Sequence, residues 1–133
     1  MNKNVLIIED NLSDILPVKA ILESLNYKVE TATDGQEGIN RLTQKNYDLI
    51  ILDWKMPDID GNFTLEYAEK FNLNIKETPF IAYTGLKSSL IKIPQVEKFY
   101  LIDHWKKPFD FSTIENRLKI ILQEIEDISL IAA

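Results

Sequence analysis

The chain has 133 residues, no cysteine, 45% hydrophobic and 27% charged residues, a balance that suits one globular domain with a single good core. A formal net charge of −6 excludes sequence-independent nucleic-acid binding, which needs clustered cations, and the basic pair Lys106-Lys107 is too small to reverse that. Without cysteine there is neither a disulfide framework nor a thiolate ligand or nucleophile.

Met1-Asn2-Lys3-Asn4 leads straight into Val5-Leu6-Ile7-Ile8, an apolar run too short for a signal peptide and too short to span a bilayer. A soluble cytoplasmic protein with no membrane insertion is expected. The run reads as a buried strand, and Glu9-Asp10 ends it. Ser13 or Asn11 can cap a helix carrying Ile15, Leu16, Val18, Ile21, Leu22 and Leu25 at helical spacing. Pro17 is expected in its first turn, where the missing N–H costs little. Tyr27 to Ala32 alternates like a strand with one wetter face, near a sheet edge. Asp34-Gly35 opens a second helix through Ile39 and Leu42.

Tyr47 to Leu52 is a third strand, and Asp53 stands where its apolar run stops. Pro57 and Gly61 break the pattern beyond it into a loop. Phe63, Leu65, Tyr67, Ala68 and Phe71 predict a helix, and Pro79 to Thr84 a fourth strand. Between Gly85 and Phe99 the helical period blurs, so a helix there is expected to be short, broken or mobile. Tyr100 to His104 forms a fifth strand that runs into Trp105-Lys106-Lys107-Pro108. Ile114, Leu118, Ile121, Ile125 and Ile128 then define one apolar helical face.

Strands alternating with helices predict an α/β fold, a doubly wound five-stranded parallel sheet flanked by about five helices in three layers. The main unit is expected to cover residues 1–127. Residues 128–133 read equally as helix packing on its own core, as a homodimer contact, or as the stub of a linker. No repeat or low-complexity segment interrupts the chain.

The residues that end the strands are Glu9-Asp10, Asp53, Thr84 and Lys107. Open α/β sheets keep their chemistry at this rim. Carboxylates supply the oxygen ligands that Mg²⁺ prefers, and one of them can act as a nucleophile to give an aspartyl phosphate. Lys107 and the metal would neutralise charge on a transferring phosphoryl group, and Thr84 offers a hydroxyl donor.

At this point the chain resembles the receiver domains of two-component response regulators, a CheY-like, flavodoxin-like fold, over Val5 to about Ile125. Glu9-Asp10-Asn11, Asp34-Gly35-Gln36-Glu37-Gly38, Asp53 with Met56-Pro57 and Asp60-Gly61, Thr84-Gly85, and Lys107-Pro108-Phe109 carry the resemblance in order. The resemblance implies that Asp53 is phosphorylated by a histidine kinase or phosphotransfer protein. It implies that Glu9, Asp10, Asp53 and the backbone carbonyl of Lys55 hold Mg²⁺. Thr84 would swing toward the phosphate, Lys107 would bind it, and the Lys107–Pro108 bond would be cis.

The chain also departs from the family pattern. The aromatic expected three residues before the lysine is replaced by His104, with Trp105 beside it. His104 reads either as a partly packed strand-end residue or as a switch, since imidazole titrates near neutral pH. Val96-Glu97-Lys98-Phe99 replaces the usual Gly-Ala. Trp54 is expected partly exposed at the site mouth, and Lys55 and Leu86 are placed to influence phosphoryl lifetime. Pro108 fixes Lys107, rather than Lys106, as the active lysine.

The expected function is a phosphorylation-controlled signalling switch, not a metabolic enzyme, with at most slow self-catalysed phosphotransfer and dephosphorylation. Its output would be a contact with a downstream protein. The alternatives are a receiver fragment of a larger regulator or hybrid kinase, and a binding module that works without phosphorylation. A phosphohydrolase with an aspartate nucleophile would want an acid two residues beyond Asp53, where Lys55 stands.

Overall fold

The structure, a computed structural model, describes residues 3–56, 59–72, 74–85, 94–108 and 110–132. Expectations that fall on Pro57, Leu86, Phe109 and the 86–93 part of the irregular stretch lie outside the described residues.

Among those residues the elements run β1 (Asn4–Ile8), α1 (Leu12–Ser24), β2 (Lys28–Ala32), α2 (Gly35–Gln44), β3 (Leu49–Asp53), α3 (Gly61–Phe71), β4 (Thr78–Thr84), β5 (Phe99–Lys106) and α4 (Phe111–Ala132). The strands form one parallel sheet in the order β2-β1-β3-β4-β5. Central strands β1, β3 and β4 are covered on both faces, which is why they read as unbroken apolar runs.

Period-two alternation sorts their side chains into two cores. Val5, Ile7, Leu49, Ile51, Ile81 and Tyr83 face α1 and α4, meeting Ile15, Val18, Leu22, Ile114 and Leu118. Leu6, Ile8, Ile50, Leu52, Phe80 and Ala82 face the other way, onto Leu42 of α2 and Leu65 and Ala68 of α3.

Helix starts follow local capping chemistry. Asn11 caps α1 by accepting from the Ser13 N–H, Asp34 caps α2 by accepting from Glu37, and Asp60 caps α3 by accepting from Phe63. Because Asn11 starts α1 so soon after β1, Pro17 lies inside the helix and not in its first turn. The carbonyl it leaves without a helical donor is that of Ser13, an exposed residue that water can reach.

Edge strand β5 carries a bulge. Phe80 pairs with Leu101, but the next residue, Ile81, pairs with Asp103. The extra residue, Ile102, reverses the in–out phase of everything after it. Phe99 therefore belongs to the α2/α3 core, while Trp105, six residues on, is buried in the α1/α4 core. Asp103 fixes this turn of the strand: it accepts from the Trp105 indole N–H at 3.0 Å and pairs with Arg117 of α4.

The apolar face of α4 is buried at Ile114, Leu118, Ile121 and Leu122, but Ile128 is 48% exposed. The 22-residue helix is about 33 Å long and its apolar face outlasts the core beneath it. No described helix is long and apolar enough to cross a membrane.

Candidate phosphoryl and metal site

The sheet's carboxyl rim gathers side chains from four strands. Glu9 and Asp10 follow β1, Asp53 is the last residue of β3, Thr84 the last of β4, and Lys107 follows β5. Backbone bonds extend the ladder past each strand end: Glu9 N–H to Ala32 at 2.9 Å, Trp54 N–H to Tyr83 at 3.0 Å, and Lys107 N–H to Thr84 at 2.9 Å. The Lys107–Pro108 peptide bond is cis.

Glu9 is fully buried and Asp53 only 4% exposed, whereas Asp10 is exposed. One carboxylate oxygen from each of the three lies within 4.8 Å of the others. Lys107 Nζ sits 3.3 Å from Asp53 Oδ2, 3.3 Å from Glu9 Oε2 and 3.7 Å from Asp14 Oδ2. The Lys55 N–H donates to Asp53 Oδ1 at 3.2 Å.

Burial chiefly, with the nearby Asp53 carboxylate, pushes the Glu9 carboxyl up to about 7, against the opposing bonds from Tyr83 and the Asn11 N–H. Burial pulls the Lys107 ammonium down, but Asp53 and Glu9 more than offset it and leave it raised. Three clustered carboxylates face this one ammonium, an all-oxygen donor set with negative charge in excess. That chemistry fits a hard dication such as Mg²⁺.

Glu9, Asp10, Asp53 and Lys107 thus converge, and Thr84 lies buried at the end of the adjoining strand. Lys55 is exposed beside them. Two sequence expectations need correction. Trp54 is not at the site mouth: strand alternation continues one residue past Asp53 and turns the indole into the α2/α3 core. There it stacks on Phe80 with centroids 5.8 Å apart. A Cβ at Gly61 would lie 2.6 Å from that indole, so Trp54 accounts for the glycine that opens α3. His104 is exposed rather than partly packed. The β5 bulge turns it away from the α1/α4 core, and Trp105 takes the inward place.

Sequence reasoning gives Tyr83 no role, yet it belongs to the site. Its hydroxyl donates to Glu9 Oε2, and Lys107 Nζ lies 4.7 Å from its ring centroid. The signal in the sequence is a lone tyrosine inside an otherwise apolar strand, whose hydroxyl must find a partner once buried.

A parallel α/β sheet with a carboxylate cluster and a lysine gathered on its carboxyl rim defines a doubly wound α/β domain with its site at the strand ends. The response regulator receiver domain family model matches residues 5–119. The chain belongs to that family. It is 35% identical over 121 residues to the response regulator ArlR of Staphylococcus aureus, covering 90% of this chain and 52% of ArlR. The chain spans about half the length of the curated relatives it matches.

Among solved structures, a CheY-like response regulator receiver domain protein from Methanospirillum hungatei superposes with a TM-score of 0.71 at 27% identity, covering 96% of this chain and 98% of that one. The receiver domain of the sensor histidine kinase PA1611 from Pseudomonas aeruginosa gives 0.72 at 24% identity, covering 95% and 99%. That protein was solved with a magnesium ion coordinated in its active-site cleft.

Proposed function

We propose that this receiver domain is a switch thrown by phosphorylation of Asp53, with a histidine kinase or phosphotransfer protein as donor and a protein contact as output. The observation that carries the reading is the convergence of Glu9, Asp10 and Asp53 within 4.8 Å, with Lys107 at 3.3 Å from Asp53. An Asp53 oxygen attacks the phosphorus of a phosphohistidine, an O–P bond forms, and the N–P bond breaks with its electron pair on the imidazole nitrogen. Lys107 neutralises charge on the incoming phosphoryl oxygens, and the Thr84 hydroxyl donates to one of them. Glu9, Asp10, Asp53 and the main-chain carbonyl of Lys55 would hold Mg²⁺, which supplies further charge neutralisation there. Slow hydrolysis of the acyl phosphate resets the switch.

The domain is read as cytoplasmic, its receiver unit ending near residue 127 with 128–133 as an extension. His104 is read as an exposed switch position in place of the usual aromatic. A second reading, the receiver piece of a larger regulator, is favoured by one observation: this chain covers 52% of ArlR.

Intact-protein mass after incubation with a small phosphodonor tests the proposal. One added phosphoryl group is expected with Mg²⁺ and none with a chelator. No addition from either a small donor or a competent phosphohistidine donor would favour a phosphorylation-independent binding module.

The raised Glu9 carboxyl makes the metal site pH-sensitive. Its pKa near 7 means that below neutrality a proton competes with the cation. Mg²⁺ affinity is therefore expected to rise roughly tenfold between pH 6 and pH 8, because metal binding needs the deprotonated form. The metal-free fold behaves oppositely. Its Glu9 pKa exceeds the ordinary 4.5, so between those values the folded state holds a proton the unfolded state has lost, and stability falls as pH rises through that window. Calorimetric Mg²⁺ titrations at the two pH values check the first effect; thermal unfolding in chelator checks the second. Both slopes should flatten in Glu9→Gln, and a pH-independent affinity would refute the assignment.

A further inference from the structure

Tyr83 is fully buried in β4, one residue before Thr84, and its Cα is in register with Asp53. Parity places its ring on the α1/α4 face of the sheet, the face that Glu9 and Asp53 share by their own alternation from Ile7 and Ile51. From there it touches both signs of charge at once. Its hydroxyl donates to Glu9 Oε2, and its ring face lies 4.7 Å from Lys107 Nζ.

The other Glu9 oxygen, Oε1, accepts from the Asn11 N–H at 3.0 Å. Tyr83 and Asn11 each hold a different carboxylate oxygen, and Lys107 Nζ donates to both at 3.4 and 3.3 Å, so the plane of the group is fixed. Asn11 does this from the backbone that also caps α1, so that bond is common to any residue there. The phenol is the neutral side-chain donor of that set, beside the charged Lys107 ammonium. Burial first, then the Glu9, Asp53 and Asp14 carboxylates, push the phenol's ionisation well upward, so it remains a neutral donor.

Resting on the receiver reading above, we propose that Tyr83 is a positioning residue of the cation site: its hydroxyl sets the orientation of the Glu9 carboxylate toward Mg²⁺, while its ring seats Lys107. Losing a group that orients a metal ligand from behind typically costs roughly 10–100-fold in metal affinity. The ring contact with the ammonium adds a cation–π attraction on the desolvated side of the lysine. Tyr83→Phe deletes the donor while keeping the ring, which separates the two roles.

The test is calorimetric Mg²⁺ binding to the unphosphorylated protein, in wild type, Tyr83→Phe, Glu9→Gln and the double variant, with folding checked by circular dichroism in chelator. Tyr83→Phe is expected to weaken Mg²⁺ binding about tenfold. In the Glu9→Gln background the same substitution should change affinity less than about twofold, because the group it positions is gone. A tyrosine that merely packs would lower the unfolding midpoint and leave Mg²⁺ affinity alone, or would cost the same in both backgrounds; either result overturns the proposal. Wild-type binding with unchanged Tyr83→Phe affinity would overturn only the positioning role. Failure of the wild type to bind Mg²⁺ at millimolar concentration would overturn this proposal and the metal part of the receiver reading together.

Discussion

Asp53→Asn is expected to take up no phosphoryl group under conditions in which the wild type takes up one, and to bind Mg²⁺ more weakly by at least tenfold. The amide has no anionic oxygen with which to attack phosphorus, and it removes one of three clustered carboxylates from an oxygen-seeking cation. The fold should survive. The amide oxygen of the variant can still accept from the Lys55 N–H as Asp53 does, and the amide N–H can donate toward the neighbouring Glu9 carboxylate. Relief of repulsion should also lower the Glu9 carboxyl, since Asp53 is among the groups that raise it. The measurements are intact mass after phosphodonor treatment, Mg²⁺ titration, and thermal unfolding in chelator. Labelling of the variant to the wild-type level would remove Asp53 from its role.

Most of this site was legible because parallel sheets put strand ends on one rim. Val5-Leu6-Ile7-Ile8, Leu49-Ile50-Ile51-Leu52 and Pro79-Phe80-Ile81-Ala82 are apolar on both faces, so their ends are marked by the first charged residue or, after Tyr83, by the threonine Thr84. The proximity of Glu9 to Lys107 then follows from strand order, although 98 positions separate them. What the sequence hid lies in side-chain phase. Counting from Leu52, alternation already sends Trp54 inward, and adjacency to Asp53 is a weaker guide than parity. The same parity aims Tyr83 at the Asp53 side of the sheet.

The β5 bulge is a different kind of failure. Nothing in Phe99-Tyr100-Leu101-Ile102-Asp103 signals an extra residue, because bulges answer to the neighbouring strand and to α4. Here the determinant is tertiary, the pairing of Asp103 with Arg117 and with the Trp105 indole. Without it His104 would be counted onto the wrong face. Pro17 misleads for a local reason: a proline favours the first turn, but the Asn11 cap sets the helix start and carries the proline inside.

Replacing Lys107 with methionine is expected to destabilise the metal-free protein by about 2–3 kcal/mol at pH 8, and by clearly less at pH 5.5. Lys107 is the ammonium within 3.3 Å of both Glu9 and Asp53, and these two carboxylates are almost wholly removed from water. Methionine keeps the length of the stem and the packing on the Tyr83 ring, so the loss isolates the charge. The figure is below the roughly 3–5 kcal/mol of a fully buried pair because the lysine side chain is 24% exposed and water screens part of its attraction. Acid reduces the penalty because a proton on Glu9, whose carboxyl already titrates near 7, removes the repulsion that the lysine had balanced. Mg²⁺ should do the same at pH 8, as a cation delivered to the same oxygens. The increase in unfolding temperature on adding Mg²⁺ is therefore expected to be larger in Lys107→Met than in wild type, since the ion no longer shares those oxygens with an ammonium. Thermal unfolding at both pH values, with Mg²⁺ and with chelator, reads all four corners of this comparison. Equal Mg²⁺ shifts in the two proteins would mean that lysine and metal act on separate groups, and that the carboxylate cluster is not the seat of the cation.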